Sequence, residues 1–227
     1  MQPYFLPYIG YFQLIDAVDL FIVYDDVKYT KRGWINRNRM LVNGRDAMFS
    51  LPLKHASDAL DVRDRELATD FNPEKLLNQF AGAYRRAPYY AQVFPLVEQI
   101  IKCEERNLFR FLHYSIATIC RHIGITTEIR TSSEIVVDRS LTSQDRVLAT
   151  CEAVGATVYV NAIGGMDLYS RDEFARRGIL LKFISSRPFA YAQFGGDFVP
   201  ALSIVDALMF NSKESVRTTI AEGFDLI

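Results

Sequence analysis

Residues 157–185, TVYVNAIGGMDLYSRDEFARRGILLKFIS, decide how the fold is read. TVYVNA is a short apolar run of strand length, and ILLKFIS at 179–185 is a second one. Between them, Ser170 with Glu173 three positions on forms a capping box, and Gly178 supplies the stop. This is strand, helix, strand. Upstream, TTEIRTSSEIVV (126–137) reads as extended, and Thr142 with Asp145 opens a helix reaching about Val154. The resulting β-α-β-α-β order calls for parallel strands joined by right-handed crossovers, with helices on the sheet faces. Ligands in such sheets sit beyond the carboxyl ends of the strands.

Working outward, residues 72–124 change to a helical period. Asn72, Pro73 and Glu74 give an N-cap, a first-turn proline and an acid at the positive end of the dipole. LLNQFAGAY, FPLVEQIIKC and NLFRFLHYSIATICRHI then read as three helices, the last stopped by Gly124. Residues 1–67 are strand-rich: LFIVYDDVKY, WINRNRML and DAMFSLPL read as strands, with NGR at 43–45 as a hairpin turn. The class expected is α/β: a mostly parallel, Rossmann-like sheet with helices on both faces and 72–124 as a helical insert or subdomain. The whole of 1–227 forms one domain on this reading.

The totals exclude several classes. With 26 Lys plus Arg against 27 Asp plus Glu, no global field draws the chain to nucleic acid or to anionic lipid, so anion binding must be local. Cys103, Cys120 and Cys151 are odd in number and lack paired metal spacing, which speaks for reduced thiols and against a disulfide framework. No apolar run reaches membrane-spanning length, and the start lacks a signal-peptide layout, so a cytoplasmic protein is expected. The Walker, dinucleotide-fingerprint and nucleophile-elbow motifs are absent. His55, His113 and His122 have no metal-ligand spacing, and His113 and His122 read as helix-packing residues.

Four groups of residues could carry chemistry. Tyr8, Gly10 and Tyr11 stand at the start of a helix through GYFQLIDAV, where free N–H groups favour an anion and tyrosine rings suit a site wall. The competing reading packs those rings between sheet and helix. In KYTKRGWINRNR (28–39) five cations surround Trp34, the only tryptophan; on a strand, Arg37 and Arg39 share one face while Trp34, Asn36 and Asn38 share the other. Arginines there, with help from Lys31, could fork a phosphate or carboxylate; a charged, solvated edge strand is the alternative. Asp25 and Asp26 end an apolar strand and could hold a divalent metal or supply a general base, one of the two facing the ligand. Gly164 and Gly165 could form an anion nest or a plain turn, and Asp206 within SIVDALMF needs a buried partner.

With these residues identified, the chain resembles the WbqC-like family. The resemblance rests on QPYFLPYIGYFQLI, DLFIVYDDVKYTKRGWINRNRM, YVNAIGGMDLYSRDEFARRGI and QFGGDFVPALSIVDALMFNS. It implies marked positions at Gln2, Pro3, Gly10, Tyr11, Asp25, Asp26, Trp34, Arg37, Asn38, Gly164, Gly165, Gln193, Ser203 and Asp206. It also implies a few further residues before Gln2 that form a first strand, so a chain opening at Met1 lacks that strand or is shortened. The function implied is a cytoplasmic transferase of bacterial surface-polysaccharide (O-antigen) biosynthesis. Such an enzyme moves an acyl or aminoacyl group, glycyl included, to a nucleotide-activated amino sugar. In that reading Asp25 or Asp26 is the base or metal ligand, Gln2 and Asn38 bind sugar hydroxyls, Trp34, Tyr8 and Tyr11 stack, and Arg37 with Lys31 meets phosphate. The partner expected is an anionic small molecule such as a nucleotide sugar, with no specific nucleic acid. A non-catalytic nucleotide-sugar-binding or scaffold protein of the same pathway is the first alternative. The second is an adenylate-forming enzyme, because YIGY stands where HIGH-type nucleotidylyltransferases carry two histidines; a phenol cannot become a cation as imidazole does.

Overall fold

The computed structural model describes residues 1–57 and 59–227, and among them the fold is mixed α/β. After an N-terminal loop come α1 (Ile9–Asp16), β1 (Leu20–Val23) and the hairpin β2 (Arg37–Val42) and β3 (Arg45–Ser50). Three helices follow: α2 (Pro73–Tyr84), α3 (Tyr90–Ile101) and α4 (Leu108–Ile123). The second half runs β4 (Glu128–Thr131), α5 (Ser143–Ala153), β5 (Val158–Ala162), α6 (Arg171–Arg176) and β6 (Leu180–Ser186). It closes with α7 (Ile204–Phe210), α8 (Lys213–Glu222) and β7 (Phe224–Leu226).

Local signals account for most boundaries. Asn72 accepts a hydrogen bond from the Lys75 amide ahead of Pro73, and Asn107 caps α4 through the Arg110 amide. Gly124, at φ 80°, ends α4 in the left-handed conformation. Asn43 (φ 51°) and Gly44 (φ 74°) give the tight β2–β3 turn the two positive φ values it needs. The Ser170 hydroxyl accepts from the Glu173 amide at the start of α6, whereas Thr142 makes no side-chain cap on α5.

Pairing is parallel where strands are joined through helices: β1 with β4 and β5 with β6. The β2–β3 hairpin is antiparallel, and β7 adds antiparallel to the far edge of β6. The strands form three small sheets, β1–β4, β2–β3 and β5–β6–β7, rather than the single Rossmann-like sheet expected from the alternation. The reason is spatial: β1 and β5 flank a cavity of about 560 Å³, lined by Leu20, Ile22, Val158 and Val160 from the strands and Val18 and Cys151 beside the helices. Met1 lies at its border, donating from its amine to the Ile22 carbonyl (2.7 Å) and accepting from the Tyr24 amide (2.9 Å).

The main core joins the N-terminal loop, α1, β1, the hairpin and α2–α4 with α7 and α8. The rings of Phe5, Phe49 and Phe80 stand edge to face within it, at centroid separations of 5.5 and 4.9 Å. A smaller core of Leu148, Phe174, Leu181 and Phe183 packs α5 and α6 on the β5–β6 pair.

A candidate active-site cleft beyond β1 and β4

The carboxyl ends of the parallel pair β1–β4 open on a cleft of about 640 Å³. One wall is Asp25, which follows β1, Thr131, which ends β4, and Ser133 and Glu134, which follow it; Arg63 and Asp64 come from the turn Val62–Asp64. The opposite wall is a single face of α4, presenting Phe109, Arg110, His113, Tyr114 and Ala117 at helical spacing. TTEIRTSSEIVV was expected to be extended throughout; the chain instead turns tightly over Ser132–Glu134, and that turn builds the site.

Asp25 is 4% exposed and fixed from one side. Its Oδ1 accepts from Ser132 Oγ (2.9 Å) and the Ser133 amide (3.0 Å), leaving Oδ2 at 3.9 Å from Arg63 Nη1. That separation is loose for an ion pair, as is the 3.7 Å between Arg63 Nη2 and Asp61 Oδ2, so Arg63 stands between two carboxylates without a close hydrogen bond to either. Asp26 points the other way, as strand alternation requires. It pairs with Arg146 of α5 and accepts from Ser132 Oγ, while Arg146 also stacks over Tyr24 at 5.4 Å. Burial pushes the Asp26 carboxyl up, but the Ser132 bond and the Arg146 bond and charge together outweigh it, so the net displacement is downward. Asp25 and Asp26 thus meet at Ser132, whose one hydroxyl proton lies between Asp25 Oδ1 and Asp26 Oδ1, and their other partners differ. Among the described residues no group of three or more His, Cys, Asp or Glu is arranged to hold a metal ion. With Asp26 already paired to Arg146, the two carboxylates do not fit a divalent metal.

His113 faces this cleft, where the helical spacing had suggested packing. Burial lowers its pKa and nearby Glu134 restores part of the loss, so the ring is neutral at pH 7. Tyr114 accepts from Gln99 and Glu134 accepts from the Thr131 amide. The signal for this wall was present in the sequence as the spacing of residues 110, 113, 114 and 117 on one helical face, but four polar-to-small residues on a helix also describe an ordinary solvated stripe.

The other candidates gather elsewhere. Tyr11 is buried, donates to the Gln2 carbonyl (2.9 Å), and packs its ring on Tyr4 and Phe21. Tyr8 stays 38% exposed and folds its ring over Gly10, where any Cβ would fall 2.4 Å from Cε2. Trp34, also half-exposed, accepts from the Phe5 amide through its carbonyl, and the guanidinium over its ring is that of Arg39 at 5.6 Å. Arg37 donates to the Gly33 carbonyl, and Lys31 is exposed on the same loop. Trp34 and Arg39 therefore meet beside Phe5, and neither they nor Tyr8 line the cleft. Asn38 donates to the Phe5 and Leu6 carbonyls (3.1 and 3.0 Å), and Ser203 to the Leu6 carbonyl (2.7 Å). These bonds hold Leu6 at φ 43°, a conformation costly for leucine.

Gln193 is buried and donates to Asp206 Oδ2 at 2.7 Å. Gly164 and Gly165 lie in the turn Ile163–Leu168 after β5; a Cβ on Gly165 would sit 2.9 Å from Asn161 Nδ2. Burial raises the Cys120 thiol to about 12 and Cys151 to about 11, which makes both poor nucleophiles. Among the described residues no helix is long and apolar enough to cross a membrane.

Residues 2–218 match the WbqC-like protein family. The chain belongs to the WbqC-like family. It is 28% identical over 215 residues to "Uncharacterized protein Rv1507c" of Mycobacterium tuberculosis (strain ATCC 25618 / H37Rv), an alignment covering 93% of this chain and 91% of that protein. No solved structure matches it. In this WbqC-like chain, of the residues singled out from sequence as catalytic, Asp25 lines the cleft at the ends of β1 and β4, and Asp26 is turned toward α5.

Proposed function

We propose that the protein is a transferase of bacterial surface-polysaccharide biosynthesis that moves an acyl or aminoacyl group to a nucleotide-activated amino sugar, with the sugar held in the β1–β4 cleft. The observation that carries this reading is the state of Asp25: a carboxylate fixed through Oδ1 by Ser132 and Ser133, with Oδ2 turned toward Arg63 at the rim of a 640 Å³ cleft. A carboxylate so fixed is preorganised to accept a proton or orient a hydroxyl, and positioning of this kind supplies much of a transferase's rate. Arg63 and Arg110 supply the positive charge a diphosphate needs. The reading takes the two parallel pairs as parts of one Rossmann-like arrangement whose carboxyl ends carry the site.

The test is Asp25→Asn, which keeps shape and removes the charge. We expect the purified variant to retain its melting temperature within a few degrees and bind UDP-sugars, yet fail to complement a deletion strain for surface polysaccharide. Full complementation by Asp25→Asn overturns the catalytic role.

A further inference from the structure

The cavity between β1 and β5 is walled by strand edges. Residues 20–22 line it consecutively from β1, and residues 157–161 from the start and length of β5. Neighbouring side chains of a strand point to opposite faces, so an unbroken run borders a space only through its backbone edge. Each strand has such an edge to offer: among the described strands β1 pairs with β4 alone, and β5 with β6 alone. Helices close the two remaining sides, Leu14 and Ala17 from α1 and Val147 and Cys151 from α5. They cover opposite faces of β1, because Phe21 packs its ring on Tyr11 of α1 while Tyr24 lies under Arg146 of α5. Val158 stays 44% exposed at the border.

One rung of this space is already taken. Met1 donates from its amine to the Ile22 carbonyl and accepts from the Tyr24 amide, the two bonds of a parallel pairing opposite Val23. Bonding alternates along a strand, so the next groups of β1 facing the space are the Ile22 amide and the Leu20 carbonyl. On β5 the Leu180 amide donates to the Thr157 carbonyl, which turns the backbone of Val158 and Val160 away from β6 and into the space. The Ala162 amide, next in that alternation, is met by the Asn161 side chain at 2.8 Å instead of by a strand.

We infer that the cavity is the seat of one further strand, parallel to β1 and joined to Met1 at its amine. Its direction follows from the Met1 rung, and its length from β1 and β5, which have 4 and 5 residues. Its composition follows from the helices on both faces, which call for apolar residues throughout. Seated there, it joins the two parallel pairs into one sheet in the order β4, β1, added strand, β5, β6, β7. A small apolar ligand fits the space less well, because two rows of backbone donors and acceptors need partners that hydrogen-bond. This seat supplies the single arrangement assumed for the cleft, yet it is independent of the transfer chemistry, so its failure leaves the Asp25→Asn test standing.

The experiment extends the full chain ahead of Met1 in three ways: with the apolar strand Val-Thr-Val-Ile-Val, with the same segment carrying proline at its middle position, and with a Gly/Ser segment of equal length. A strand paired on both sides uses every N–H, so proline removes a bond wherever it falls. The apolar version should melt about 5 °C or more above the Gly/Ser version. It should also slow amide exchange at Ile22, Val158 and Val160 by roughly tenfold or more, with the proline version close to the Gly/Ser one on both readouts. Equal melting and equal exchange in the apolar and Gly/Ser versions, or a lower melting temperature for the apolar one, overturns the seat. The apolar segment added as a free peptide to the unextended chain separates the sources. Protection of those three amides by the peptide but not by the extension overturns the junction at Met1 and assigns the seat to a partner chain.

Discussion

Asp206 is a carboxylate with no measurable exposure whose partners are neutral: Tyr84 donates to Oδ1 at 2.9 Å, and Tyr191 and Gln193 donate to Oδ2 at 2.8 and 2.7 Å. Burial raises its pKa and the three donors only partly offset the rise. A carboxyl whose folded pKa exceeds its unfolded value of 3.8 contributes stability at low pH that is lost as pH climbs through the folded value. Removing it strands three donors, one of them Tyr84, which also accepts from the Leu41 amide. Asp206→Ala should cost about 3 kcal/mol or more, read as a lower urea midpoint with an unchanged slope; a midpoint within error of wild type would show the network to be dispensable. The need for a partner was legible from an acid in the run SIVDALMF, but its identity was not. Tyr84 lies 122 positions away, and no local pattern links a helix in the middle of the chain to one near its end. The same holds for Asn38 and Ser203, which look like ligand-binding polar residues in sequence and are occupied in holding the 5–7 backbone.

At the level of single elements, the start of α1 depends on an unusual arrangement in which Tyr8, the N-cap, makes no side-chain cap and instead lays its ring where a Cβ of residue 10 would be. Glycine inside a helix costs about 1 kcal/mol relative to alanine, so Gly10 is kept for the ring rather than for the helix. This makes a double-mutant cycle decisive. Gly10→Ala alone should destabilise by about 1–2 kcal/mol because the Tyr8 ring must leave its seat, whereas Gly10→Ala in a Tyr8→Ala background should be stabilising by up to about 1 kcal/mol. Equal effects in both backgrounds would mean that Tyr8 does not set the residue type at position 10. Elements with strong punctuation were readable in advance: the Asn43–Gly44 hairpin turn, the Asn72 cap, the Gly124 stop and the strand–helix–strand unit β5–α6–β6. The turn Ser132–Glu134, which builds the cleft, was not. Its residues carry β-compatible neighbours; the local signal was the capping box of Thr131 and Glu134, and the long-range bonds from Ser132 and Ser133 to Asp25 add to it in selecting a turn over a longer strand. β7 was missed for a related reason, since three residues carry too little period to register and pairing with β6 alone defines it.

Across the whole molecule, the separation of β1–β4 from β5–β6–β7 has a measurable consequence at the border of the cavity between them. Where the chain opens at Met1 with a free amine, that amine bonds to the Ile22 carbonyl there, and burial lowers its pKa from 8.0 to about 5. Between those values the unfolded chain carries a proton that the folded chain has released, so stability must rise with pH across the window and level off above 8.0. Each unit of displacement is worth about 1.4 kcal/mol, which bounds the whole effect at about 4 kcal/mol. His113 and His122, both lowered by burial, act with the same sign but only below 6.5. The upper part of the span from 6.5 to 8.0 therefore belongs to the amine, the histidine contribution fading as pH rises above 6.5. Urea unfolding followed through that span should show a steadily rising free energy, and acetylating the amine should remove most of the rise, because an amide does not titrate there. The cavity of about 560 Å³ beside Met1 leaves room for an acetyl group, so the modified chain should fold and serve as a fair comparison. A free energy that is flat or falling over the span, or one that climbs equally after acetylation, would mean that the amine is in contact with water and that the border between the two sheets is open rather than packed.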